Sequence, residues 1–117
     1  MSSACLALAM TCGIAGASEV PLVDGNHWVA SSPEAKKAYL IGMANIVQIE
    51  SAYQADQPVS TSKRFSPTVT KGMQGRTLAS VQDAVDKWYA ANPDKLQRPV
   101  VETIWFEMVV PGLKKTQ

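Results

Sequence analysis

The sequence predicts an all-α protein, a small irregular bundle of about four helices that follows a cleaved signal peptide. Three observations carry that expectation. Apolar residues recur at three- and four-residue spacing through two long stretches, 33–54 and 77–92, which is the repeat of an amphipathic helix. The first stretch opens on Ser31-Ser32-Pro33 and the second closes on Asn92-Pro93, which are start and stop signals. The chain has 117 residues, enough for one modest core and too few for two, and 46% apolar with 18% charged residues is the balance of an ordinary globular protein.

The N-terminal stretch "SSACLALAMTCGIAGASEV" stands apart because every charged residue of the chain lies after Ser18. An apolar run of about 14 residues ending in Ala15-Gly16-Ala17 matches the hydrophobic region and small-residue cleavage site of a signal peptide, although no Lys or Arg precedes it. It is shorter than the roughly 20 residues a membrane-spanning helix needs. Residues 1–17 are therefore expected to be removed and residues 18–117 to form a single helical domain in the periplasm or outside the cell. Cys5 and Cys12 both fall in the removed part, so the mature chain is expected to have no disulfide, thiol nucleophile or cysteine metal site. Attachment of lipid to Cys12 is the rival reading, but "LAMTC" is a poor version of the required small-residue box.

From Ser18 to Ser31 the chain reads as an extended lead-in, with Pro21 and the turn signal Asp24-Gly25-Asn26. Trp28 is placed to fold over the first turn of the helix that follows. Ser31 or Ser32 caps that helix, Pro33 suits its first turn, and Glu34 stands three residues after Ser31 as a capping box requires. At 100° per residue, Tyr39, Met43, Ile46, Val47 and Tyr53 share one broad face with Leu40 at its edge. Ala35, Ala38 and Gly42 form a flank of small residues where another helix is expected to come close.

Residues 55–76 are rich in Pro, Ser and Thr and read mostly as a connection. Within it, Ser66-Pro67 followed by Val69, Met73 and Gly75 suits a short helix capped by Ser66 and stopped by glycine, with Phe65 as the anchor to the core. The next helix places Leu78, Val81, Val85 and Trp88 on one face with Tyr89 at its edge, and pairs Asp83 with Lys87 outside. "NPDKLQ" is a short helical step. The last element, bracketed by Pro99 and Pro111, has strand-like β-branched content. Helical spacing describes it better, because Val100, Val101, Ile104, Trp105 and Met108 gather opposite Glu102.

Inventory excludes most catalytic chemistry. His27 is the one histidine and no nucleophile-elbow sequence accompanies it; no glycine fingerprint for phosphate or dinucleotide occurs, and a metal site or cofactor is not expected. Eleven Lys plus Arg against ten Asp plus Glu, without a run of one sign, argues against nucleic acid as a partner. The main clue is Glu50, which falls between Tyr39 and Met43 in angle, on the apolar face of its helix. A carboxylate there must be paired, so Arg64, Arg76, a tyrosine hydroxyl such as that of Tyr39 or Tyr53, or backbone N–H groups of the polar connection are expected to meet it. Fully buried, such a pair would cost about 3–5 kcal/mol to break. The alternatives are a partner-binding cleft, which Tyr39 and Tyr53 would line, and a small wall-active hydrolase with Glu50 as general acid.

The pattern "W...SSPEAKKAYLIGMANI", followed by "VDKWYAANPDKLQRPVV", resembles the Tai-type periplasmic immunity proteins, which resist toxins of the type VI secretion system. Trp28, the Ser-Pro-Glu cap, Lys36 or Lys37, Tyr39, Gly42 and Asn92-Pro93 carry the resemblance, over about half of the expected mature chain. It implies an all-helical, non-enzymatic periplasmic domain that binds a protein partner; the shortness of the apolar run separately leads us to expect no transmembrane segment in the mature chain.

Overall fold

The computed structural model describes residues 20–55 and 65–115; the expected signal peptide, both cysteines and Arg64 lie outside these. The described chain is all-α, a small bundle with no β-strand among the described residues. Its elements are α1 (Gly25–Val29), α2 (Pro33–Ala55), α3 (Phe65–Gly72), α4 (Leu78–Ala91), a 3-10 turn at Pro93–Lys95, and α5 (Val100–Ile104). A single π-helical turn, Trp105–Val109, joins α5 to α6 (Val110–Lys115) in one continuous C-terminal helix. Helix α2 packs on α3 and α4, while α3 lies against the C-terminal helix.

The expected extended lead-in contains a helix. Asp24 starts α1 as a capping box: its Oδ1 accepts the N–H of His27 at 3.1 Å, and His27 Nδ1 accepts the N–H of Asp24 at 3.2 Å. That N–H, together with the nearby imidazole, holds the Asp24 carboxyl below the usual carboxylate range. Asp24-Gly25-Asn26 is thus a helix start and not a turn. Five residues cannot hold a helix alone, and α1 is fastened from outside. The N–H groups of Gly25 and Asn26 reach the carbonyls of Arg98 and Leu96 at 3.2 and 3.1 Å, and Val100 N–H donates to Val23 at 2.8 Å. Gly25 is buried under the Tyr89 ring, where a Cβ would lie 2.6 Å from Cδ1.

Trp28 is only 1% exposed and forms part of the core. Its Nε1 donates to Asp86 Oδ1 at 2.8 Å, Lys36 Nζ binds the same oxygen at 2.9 Å, and the Lys36 ammonium stands 5.6 Å from the indole centroid. The ring meets Tyr39 edge-on. Lys36 thereby links α1, α2 and α4 around one carboxylate, a cation held by both charge and an aromatic face.

Helix α2 is capped by Ser32, whose Oγ accepts the N–H of Ala35 at 3.1 Å. Glu34 then sits one position short of where a capping box needs it, so the expected box is not made; Ser31 instead donates to His27 O. Leu40, expected at the edge of the apolar face, is its buried centre, with Tyr39, Met43 and Val47 half-buried around it. Ile46 and Tyr53, expected inside, are each 65% exposed. The small flank is not used as expected either: Ala35, Ala38 and Gly42 are exposed, and nothing lies within 4 Å of a Cβ placed on Gly42.

Close helix approach occurs elsewhere. Gly72, the last residue of α3, and Gly112 of α6 meet backbone to backbone. A Cβ on Gly72 would lie 2.8 Å from Val109 Cγ1, and one on Gly112 would lie 2.8 Å from the carbonyl carbon of Gly72. Absence of a side chain at both positions lets the end of α3 sit on the C-terminal helix. The chain leaves α3 through Gly75, whose φ of +84° is in the left-handed region that glycine adopts without penalty.

Helix α4 begins with a second reciprocal cap, Thr77 with Ser80 (3.0 and 2.9 Å), and carries the expected Lys87–Asp83 pair at 2.9 Å. Val81, Val85 and Tyr89 are its buried face, while Leu78 is partly exposed and Trp88 half-buried. Trp88 is covered by the Arg98 guanidinium at 4.7 Å, and Arg98 also pairs with Glu107 at 3.1 Å. Tyr89 is 1% exposed; its hydroxyl donates to Arg98 O at 2.6 Å and receives the buried Thr103 hydroxyl at 3.1 Å.

The C-terminal element is helical and does not stop at Pro111. Val110 N–H bonds the carbonyl of Trp105, five residues back, and α6 continues to Lys115. The wide turn ends two residues before Pro111, whose ring would otherwise press on the carbonyl of Glu107 and whose missing N–H would leave that carbonyl unserved. It also changes the buried set: Val100, Thr103, Ile104, Met108 and Val109 face the core, whereas Val101 and Trp105, expected inside, are partly exposed.

Candidate functional site

Glu50 occupies the C-terminal half of α2, opposite the N-terminus of α3. Its Oε1 accepts the backbone N–H of Ser66 at 3.3 Å, and its Oε2 accepts the side-chain amide of Gln54 one turn on. The first N–H groups of a helix have no partner inside it and carry partial positive charge, so a carboxylate from a neighbouring helix serves them as a cap. Ser66 is not the cap expected from its sequence: it lies within α3, its main chain bound by Glu50, and its Oγ is fully buried without a hydrogen-bond partner among the described residues. Pro67 fits beside it because a first-turn N–H is not needed.

Of the other residues expected around Glu50, Arg64 lies outside the described residues, and Arg76, Tyr39 and Tyr53 are spread apart. Arg76 is exposed beyond the far end of α3, a helix about 12 Å long, and no ion pair joins it to Glu50. Tyr39 lies eleven residues up α2, against Trp28, where burial pushes its hydroxyl above the usual tyrosine range. Tyr53 is exposed on the outer side of α2. Glu50 is half-buried and not enclosed, so removing it should cost less than the 3–5 kcal/mol of a fully buried pair.

Two apolar grooves flank α3, separated by a shared seam of Met43, Val47, Val69 and Ile104. The first, about 460 Å³, lies between α2, α3 and α4. Buried Leu40, Val81 and Ile104 form its floor, while exposed Gln48, Gln74 and Arg76 stand at its mouth. Arg76 is the only charged residue lining it among the described residues. The second groove, about 480 Å³, lies between α2, α3 and the C-terminal helix.

Around the second groove the surface is unusually apolar. Phe65 is expected to anchor its segment to the core; it does so by stacking on Trp105, with centroids 5.9 Å apart and planes within 8°, yet it remains 56% exposed. Phe106 is 54% exposed, and Ile46, Ile49 and Tyr53 make an outward stripe along α2 at spacings of three and four residues. Sequence periodicity finds these residues but assigns Ile46 and Tyr53 to the core. The missed signal is Ile49: an isoleucine off the predicted face widens the apolar stripe beyond what one contact can cover.

Among the described residues no group of three or more His, Cys, Asp or Glu is placed to hold a metal ion, and no helix is long and apolar enough to cross a membrane. No family model, curated protein or solved structure gives a significant match to this chain.

Proposed function

We propose that this domain is a non-enzymatic, immunity-like protein-binding module of the periplasm or extracellular space, and that its partner sits on the face around the Phe65–Trp105 stack. One observation carries the reading: Ile46, Ile49, Tyr53, Phe65, Val101 and Phe106 are all at least a third exposed, and they border a single groove and the helix beside it. Large apolar side chains gathered in one patch, with aromatics among them, are the composition of an interface centre. Glu50 serves that face indirectly, because it fixes the start of α3 and with it the position of Phe65.

Site-specific photo-crosslinking in the native host tests this. A photoreactive residue at position 49 is expected to give one discrete adduct, lost in a Phe106→Asp background, while the same label at Lys115 gives none. Equal labelling from both positions would overturn the proposal. Fractionation of the same cells checks the compartment, with residence in the cytosol as the contrary result.

A further inference from the structure

We infer that the first groove, between α2, α3 and α4, is a binding site for a free fatty acid of medium chain length, with the carboxylate on Arg76 and the chain running inward. This site adjoins the protein-binding face along the seam of Met43, Val47, Val69 and Ile104 but opens on the other groove and does not depend on that face. Three features of the groove select that chemistry. Its volume of about 460 Å³ is within the roughly 300–1,000 Å³ range of small-molecule sites. Its interior is hydrocarbon: Leu40, Val81 and Ile104 at the floor offer an entering ligand neither donor nor acceptor on their side chains. The polar side chains that line it, Gln48, Thr70, Gln74, Arg76 and Thr77, are all exposed, and of these Arg76 alone is charged.

A neutral apolar molecule would leave the guanidinium unused, and a polar anion such as phosphate would leave the floor unfilled. A dicarboxylate would have to bury a second charge against side chains that cannot serve it. A single anionic head on a single hydrocarbon tail satisfies both ends. The planar fork of arginine suits a carboxylate in two-point contact, and no carboxylate among the described residues forms an ion pair with it.

Titration of the protein with hexanoate, octanoate and decanoate, followed by nuclear magnetic resonance of methyl groups, tests the inference. Shifts are expected at Leu40 and Val81, which line this groove and not the second, with affinity rising up to about fourfold for each methylene that reaches the floor. Arg76→Gln, an exposed change that spares the core, should weaken octanoate about tenfold and leave 1-octanol within about twofold. Ala44→Phe fills the groove and should abolish binding of both, provided its helical spectrum matches wild type; if it does not fold, the acid-against-alcohol comparison decides. No saturable binding, affinity independent of chain length, or equal loss of acid and alcohol in Arg76→Gln would overturn the site.

Discussion

The Glu50 carboxylate accepts the N–H of Ser66 across 3.3 Å, so the long helix α2 caps the short helix α3 from the side. Glu50→Ala should remove this cap and lower stability by about 1–2 kcal/mol, as loss of a capping side chain does. Glu50→Gln keeps an acceptor without the charge and should lose about half as much. Denaturant unfolding of the three proteins checks this, and an unmoved midpoint in Glu50→Ala would refute the capping role.

Ser66 predicts the opposite sign. Its hydroxyl is buried with no partner among the described residues, whereas its N–H is the group Glu50 binds. Ser66→Ala deletes the hydroxyl and leaves the N–H in place, so it should be neutral or stabilise by up to about 1 kcal/mol. A loss above that in the same unfolding experiment would mean that the hydroxyl is bonded in solution, as through an ordered water.

The two kinds of helical glycine should also diverge. Gly112→Ala puts a methyl group into the backbone of Gly72 and should cost about 3 kcal/mol or more. Gly42→Ala meets nothing within 4 Å on an exposed helix and should gain about 0.5–1 kcal/mol. Thermal unfolding of both variants separates a packing contact from a mere lapse in helix propensity.

Tyr89 sets an alkaline limit. Burial, opposed in lesser part by the Thr103 hydroxyl and Arg98, raises its pKa above the usual value, so the folded state holds the phenol proton more tightly than the unfolded one. The resulting stability is fully present below about pH 10, the unfolded value, and is lost as pH rises through the folded value. Unfolding midpoints followed from neutral into strongly alkaline buffer should fall beyond that point. Tyr89→Phe should reduce the fall without abolishing it, because the Tyr39 hydroxyl is raised by burial as well. An identical alkaline profile in the mutant would exclude Tyr89 as the cause.

The sequence makes α2 and α4 legible because both are long enough for a repeat to show, and because Ser32, Pro33, Asn92 and Pro93 punctuate them. Helix α1 is hidden for the reverse reason. Its five residues contain no full repeat, and Asp24-Gly25-Asn26 advertises a turn until His27 is recognised as the fourth member of a cap. Pro111 misleads similarly: a proline normally ends a helix, and only the hydrogen-bond register of the π turn shows why it does not here. The Gly72–Gly112 contact joins distant parts of the chain, which no local pattern encodes. Periodicity marks Glu50 as anomalous but cannot name Ser66 as its partner, since the partner is a main-chain group made available only by the start of α3.

The bridge between Asp24 and Pro99 has a consequence for the order in which the protein folds. Helix α1 is too short to nucleate alone, and the carbonyls that hold Gly25 and Asn26 belong to Arg98 and Leu96. In a chain that emerges N-terminus first, from the ribosome or from an export channel, these acceptors come near the end, after α2 and α4. The first of the described helices is therefore among the last to form. Trp28, which needs α1 to reach Asp86, stays accessible to chaperones and proteases until then. A chain truncated before residue 96 would present that tryptophan still unshielded, open to quenching by a soluble fluorescence quencher that the finished domain excludes.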